Sequence, residues 1–69
     1  MNNVFSRRVR EAMQRNNVTF SELQQRTGMN ETTLEKICTG YVQTPRMTSA
    51  RAISKALCVP MDWLYGQEA

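Results

Sequence analysis

In the stretch TFSELQQRTGMNETTLEKICTG, Thr19 to Gly40, five polar side chains fall together: Glu31, Thr32, Thr33, Glu35 and Lys36. Carboxylates accept hydrogen bonds, an ammonium donates them, and hydroxyls do both. Leu34 and Ile37, three apart, supply the inward stripe of one short helix, so the five polar residues share its outward face. Such a set does recognition chemistry: it offers donors and acceptors to a polar surface outside the molecule and breaks no bond. The rest of the chain offers no competing set. It has no histidine, its cysteines Cys38 and Cys58 stand apart, and its six acids are scattered, so no acid–base or nucleophile group can be assembled. Ligand spacing for zinc is missing too. The expectation is a protein that is not an enzyme and needs no metal, cofactor or small-molecule ligand.

A helix this short must be held from behind. Asn30 is a good N-cap for it, and Thr19 for the helix before it, whose inward residue is Leu23. Gly28 stands where the chain must turn sharply between the two, a place for left-handed backbone. Neither helix can stand alone, so packing partners are required. Upstream, Asn2 or Asn3 can cap a first helix running to about Asn16. Phe5, Val9, Ala12 and Met13 fall on one face of it, and Arg7, Arg8, Arg10 and Arg15 lie mostly off that stripe. Asn16-Asn17 favours a turn, and Val18 pairs with Leu23 as a hydrophobic staple.

Downstream, Pro45 disfavours helix at Thr44, so YVQTPRM reads as an extended connection. Thr48 is expected to cap a fourth helix from about Ser49 to Leu57. Its buried stripe is Ile53, Ala56 and Leu57, helped by Ala50 or Ala52. Cys58 follows at a helix end where glycine would be easier, which implies stored backbone strain. Pro60 opens a last short helix, Met61 to Tyr65, stopped by Gly66; Gln67 to Ala69 reads as a frayed tail. No segment alternates like a strand. The expectation is an all-α protein: five helices in one domain over residues 1–69, with a helix-turn-helix at about 19–40.

With 69 residues the core is near the lower limit for independence, and pairing with a second copy would help. The net charge of +3 suits an anionic partner. No apolar run is long enough to span a membrane, and MNNVFSRRVRE lacks the apolar centre of a signal peptide. Both cysteines are expected as reduced, semi-buried thiols of a cytoplasmic protein.

A short helix with an apolar back and a polar front, joined by a tight turn to a helix before it, has the layout of a DNA-reading helix-turn-helix. From Thr19 to Gly66 the chain resembles the Cro and repressor DNA-binding domains of lambdoid phages, within the wider XRE-type family. The resemblance rests on an ordered set: SELxxxxG at Ser21 to Gly28, then Met29, Leu34 and Ile37, then Gly40 and Pro45. It ends with ALCVPMDWLYG from Ala56 to Gly66. It implies a compact five-helix, lambda-repressor-like domain. The chain departs from the family at Phe20, where relatives often carry a phosphate-reaching Gln, and at Gln24, where a small residue is usual. Met13 and Cys38 stand where many relatives hold a buried Arg–Glu pair, and Cys58 replaces a glycine.

The resemblance further implies roles. Glu31 and Thr32, with Lys36 one turn on, would meet base edges in the major groove. Lys36 can donate to guanine O6 and N7, Glu31 can accept from cytosine N4, and the Thr32 methyl can rest on a thymine methyl. Glu31 could instead merely favour a helix start, and Glu35 is read as pairing near Lys36 or with Arg26. Phosphate contacts are expected from Asn30, Thr33, Thr39, Tyr41, Gln43 and Arg46, with Arg10 or Arg7 reaching from the first helix. The implied partner is a double-stranded DNA operator in the cytoplasm of a bacterial host. It would be bound by a weak homodimer that tightens on DNA, with Pro60, Met61 and Tyr65 at the interface. Trp63 and Leu64 could serve either core or interface, and for Trp63 the core reading is preferred. The short length favours a stand-alone Cro-type repressor over a full repressor with a second domain. The alternative is an antitoxin-like or adaptor-like module that binds protein with the same fold.

Overall fold

Five helices account for the secondary structure in a computed structural model that describes residues 3–42 and 45–66. They are α1 (Val4–Arg15), α2 (Phe20–Thr27), α3 (Glu31–Thr39), α4 (Met47–Leu57) and α5 (Met61–Leu64). No strand occurs among the described residues, and none of their helices is long and apolar enough to cross a membrane. Gln43, Thr44 and the tail from Gln67 lie outside the described residues.

The core is where the apolar spacing puts it. Phe5, Val9 and Ala12 of α1, Leu23 of α2, Leu34, Ile37 and Cys38 of α3, Ala50, Ile53 and Leu57 of α4, and Leu64 of α5 form one buried cluster with Val18. Met13, Ala56, Met61 and Trp63 are half-buried against it. α1 packs on α3, α4 and α5, and α4 packs on α2 and α5. So α1 and α4 are the supports, and α3 is carried on α1.

Each helix start has a local reason. Asn3 caps α1, its Oδ1 accepting from the Ser6 amide at 2.8 Å, and the Ser6 hydroxyl completes a reciprocal box. Thr19 caps α2 and Glu22 closes a second box, its carboxylate accepting from the Thr19 amide at 3.1 Å. Those hydrogen bonds hold the Glu22 carboxyl below its ordinary range. Val18 and Leu23 are both buried on either side of that start, as a staple requires. Asn30 caps α3 by accepting from the Thr32 amide at 2.8 Å.

α4 corrects the reading of Thr48. The helix begins at Met47 with Arg46 in the N-cap position and no side-chain cap, which places Thr48 inside the first turn. The cap position lies two residues earlier than Thr48, because Pro45 restricts only the residue before it and leaves Arg46 and Met47 able to begin the helix. Trp63 is also not fully inside. It is half-buried, with the guanidinium carbons of Arg8 and Arg15 lying 4.8 and 5.7 Å from its ring centroid. The two thiols differ as well: Cys38 is buried but Cys58 is exposed.

Candidate nucleic-acid interface

α3 is two-faced. Leu34, Ile37 and Cys38 are buried, while Glu31, Thr32, Thr33, Glu35, Lys36 and Thr39 are all exposed. The turn before it is set by Gly28, which sits at φ 69° in the left-handed region and whose amide donates to the Gln24 carbonyl at 2.8 Å. Only two residues, Met29 and Asn30, then separate Gly28 from α3, so the approach of the chain is tightly defined. Gly40 closes α3 at φ 90°, with its amide donating to Ile37 and the Tyr41 amide donating to Lys36. That pair of bonds is the Schellman arrangement.

The proposed contact residues fall into separate places. Glu31, Thr32 and Lys36 share the exposed front of α3. The Lys36 ammonium lies 5.5 Å over the ring of Tyr41, which is 78% exposed. Thr33 and Arg46 line one cleft together with Ile37, Val42, Pro45 and Ser49, so α3 and the start of α4 meet there. Thr39 is exposed, and its hydroxyl donates to the Lys36 carbonyl at 3.4 Å. The Asn30 oxygen is committed to its cap, leaving its amide group. Arg10 is exposed but lines a different groove, with Met13, Gln14, Asn17, Val18, Thr19 and Phe20 at the start of α2. Gln43 lies outside the described residues.

The departures from the family pattern have structural consequences. Phe20 is half-buried against the core. Met13 and Cys38 contribute apolar surface where a charged pair would need desolvation. Burial pushes the Cys38 thiol up, with Arg10 pulling weakly the other way. Arg26 does not pair with Glu35: its Nη1 donates to the Ala56 carbonyl at 3.2 Å, at the end of α4. Pro60 is exposed and Met61 half-buried. Tyr65 is half-buried, its ring 5.2 Å from that of Phe5 and its hydroxyl donating to the Pro45 carbonyl at 3.5 Å.

Three polar residues make long-range contacts that the reading of the chain did not give. Asn3 donates from its amide to the carbonyls of Gly40 and Val42, each at 3.3 Å, and so ties the start of α1 to the end of α3. Asn16 donates to the Leu57 carbonyl at 3.3 Å and Arg26 to Ala56, so both serve the end of α4. No local pattern announces such contacts. Glu22 is different: T-x-x-E over Thr19 to Glu22 is a readable capping box.

The pattern for the Cro/C1-type HTH DNA-binding domain matches residues 8–62, from within α1 to the second residue of α5. The chain belongs to the Cro/C1-type helix-turn-helix family. No curated protein and no solved structure is significantly similar to it. The family match contains α2, the Gly28 turn and α3 whole, so the two-faced helix is the second helix of a DNA-binding helix-turn-helix. Asn3 and Tyr65 lie outside the matched residues, and their roles rest on their own geometry.

Proposed function

We propose that this Cro/C1-type chain is a sequence-reading transcriptional regulator, a Cro-type phage repressor that sits as a homodimer on a near-palindromic operator. The observation that carries the reading is the front of α3: six exposed polar side chains on a helix whose back is wholly buried. A helix so mounted can enter the major groove without exposing its apolar side. Glu31, Thr32 and Lys36 read base edges. Asn30, Thr33, Thr39, Tyr41, Gln43 and Arg46 hold phosphates, and Arg10 reaches the backbone from the α1–α2 groove. Two copies meeting through Pro60, Met61 and the open edge of Tyr65 would set their recognition helices ~34 Å apart.

Selection of binding sites from random duplexes by the full chain tests this. The expected result is an inverted repeat with half-sites about one helical turn apart, bound with an affinity that falls steeply with salt. Lys36→Ala should relax preference at one position per half-site, at a cost of about 1–3 kcal/mol in discrimination. Binding that shows no favoured duplex and little salt dependence would overturn the reading and favour a protein-binding module.

A further inference from the structure

Tyr41 is the most exposed large apolar side chain among the described residues, yet the backbone around it is held on both sides. Its own amide donates to the Lys36 carbonyl at 2.9 Å, and the next amide, of Val42, donates to the same carbonyl at 3.2 Å. The carbonyls on either side, of Gly40 and Val42, both accept from the Asn3 side-chain amide at 3.3 Å. Meanwhile Asn3 Oδ1 is anchored on the Ser6 amide. An exposed ring has no packing reason to be clamped from both sides. Among the described residues its ring meets the Lys36 ammonium, 5.5 Å from the ring centroid.

We propose that Tyr41, clamped by Asn3, is a positioning residue for Lys36, presetting the lysine toward the groove and so sharpening base discrimination. The proposal rests on the reading of α3 as the base-reading helix. A free lysine is a point charge on a flexible stem, and it loses rotamer freedom when it settles on a base edge. An aromatic face that already holds the ammonium removes part of that loss before DNA arrives. Without the ring, the same lysine can turn to a neighbouring phosphate, which adds affinity but carries no sequence information. Tyr41 therefore contributes through its face, separately from any phosphate bond its hydroxyl makes.

The test uses the full chain, the duplex it selects, and that duplex with each base pair changed in turn. Tyr41→Leu should lower discrimination at the position read by Lys36 by about two- to fivefold, the size of an exposed cation–π contact. Tyr41→Phe should keep discrimination while weakening all duplexes alike if the hydroxyl holds a phosphate. Asn3→Ser, which retains a capping oxygen but no amide, should follow Tyr41→Leu in the same direction. In a Lys36→Ala background, Tyr41→Leu should change discrimination no further. A readout without DNA keeps the geometry testable alone. In the free protein, the Lys36 side-chain methylene resonances should be shifted upfield by the ring and should relax in Tyr41→Leu and Asn3→Ser. The proposal is overturned if Tyr41→Leu weakens every duplex equally, if Tyr41→Phe loses as much discrimination as Tyr41→Leu, or if the lysine resonances are insensitive to Tyr41. Loss of all sequence preference already in the unchanged protein would instead strike the base-reading role of α3, and this proposal with it.

Discussion

α3 and α4 end by the same hydrogen-bond pattern on different residues. After α3, Gly40 at φ 90° donates to Ile37, and Tyr41 donates to Lys36. After α4, Cys58 at φ 56° donates to Lys55, and Val59 donates to Ser54. Glycine adopts that backbone freely, whereas a cysteine there carries a Cβ penalty of roughly 1–2 kcal/mol. The strained end is tied to two other helices, α1 and α2, and braced by a hydroxyl of α4 itself. Asn16 and Arg26 donate to Leu57 and Ala56, and the Ser54 hydroxyl donates to Val59. The α3 end receives Asn3 alone among these long-range donors. Thus α1 straps both neighbours with an asparagine at each of its own ends. The unstrained end belongs to the helix that must be placed accurately, and the strained one to the helix that only supports.

The most damaging way to break this contrast is Gly40→Ala. Gly40 is buried as well as left-handed, so the change should cost about 1–2 kcal/mol from backbone alone. It should also disturb Tyr41, lowering the denaturation midpoint and sequence preference together. Asn16→Ala comes next. It removes donors to Ala12 and Leu57 and should cost about 1 kcal/mol in urea unfolding, with base preference unchanged. Cys58→Gly should act in the opposite sense. Relief of strain less the entropy of a freer unfolded chain should leave a gain of roughly 0.5–1 kcal/mol, raising Tm by roughly 2–8 °C. A loss of stability on Cys58→Gly would show that the cysteine is needed for its contacts and that the strain reading of α4 is wrong.

Much of this was legible beforehand, for a physical reason. The stripes of α1, α3 and α4 are set by apolar spacing, and caps by residues that reach their own backbone, so Thr19, Asn30, Gly28 and Cys58 could be placed from the chain alone, and Asn3 as one of two candidates with Asn2. Thr48 could not, because the capping preference of threonine pointed there while the helix begins two residues earlier, behind Arg46, with no side-chain cap. Trp63 was harder still. Only the tertiary meeting of α1 and α5 puts Arg8 and Arg15 over its ring, and that leaves it half out of the core. The polar front of α3 was readable as a face. The clamp on Tyr41 was not, since Asn3 lies 37 residues from Gly40.

The helix starts allow a smaller test of the same contrast between secured and unsecured ends. α2 begins with a reciprocal box and α4 with no side-chain cap. Hydrogen bonds from the Thr19 amide, then its side chain, hold the Glu22 carboxyl below its ordinary value of 4.5. Because the folded value is the lower one, the box contributes stability above that ordinary value and loses it as pH falls through the folded value. Glu22→Gln can still accept from the Thr19 amide but cannot titrate. The stability of the unchanged chain should therefore fall more steeply than that of Glu22→Gln between about pH 5 and pH 3. Matching slopes would remove the box from the acid response.

The least perturbing test uses the two thiols, one near each helix end under comparison. Cys38 lies in the last turn of α3 and faces the core, and burial pushes its thiol up, so thiolate is scarce there at neutral pH. Cys58 is exposed at the left-handed end of α4. In the folded chain a thiol reagent should therefore modify one cysteine promptly, and the second only at the rate at which α3 parts from α1. Adding urea below the unfolding transition should speed only the slow phase. If α1 straps α3 as described, Asn3→Ser should speed that phase too, and Asn16→Ala should do so less, because Asn16 ties α1 to α4 instead. Equal acceleration by the two variants would mean that Cys38 is exposed by global opening, and that the two asparagines do not divide the work between the two helix ends.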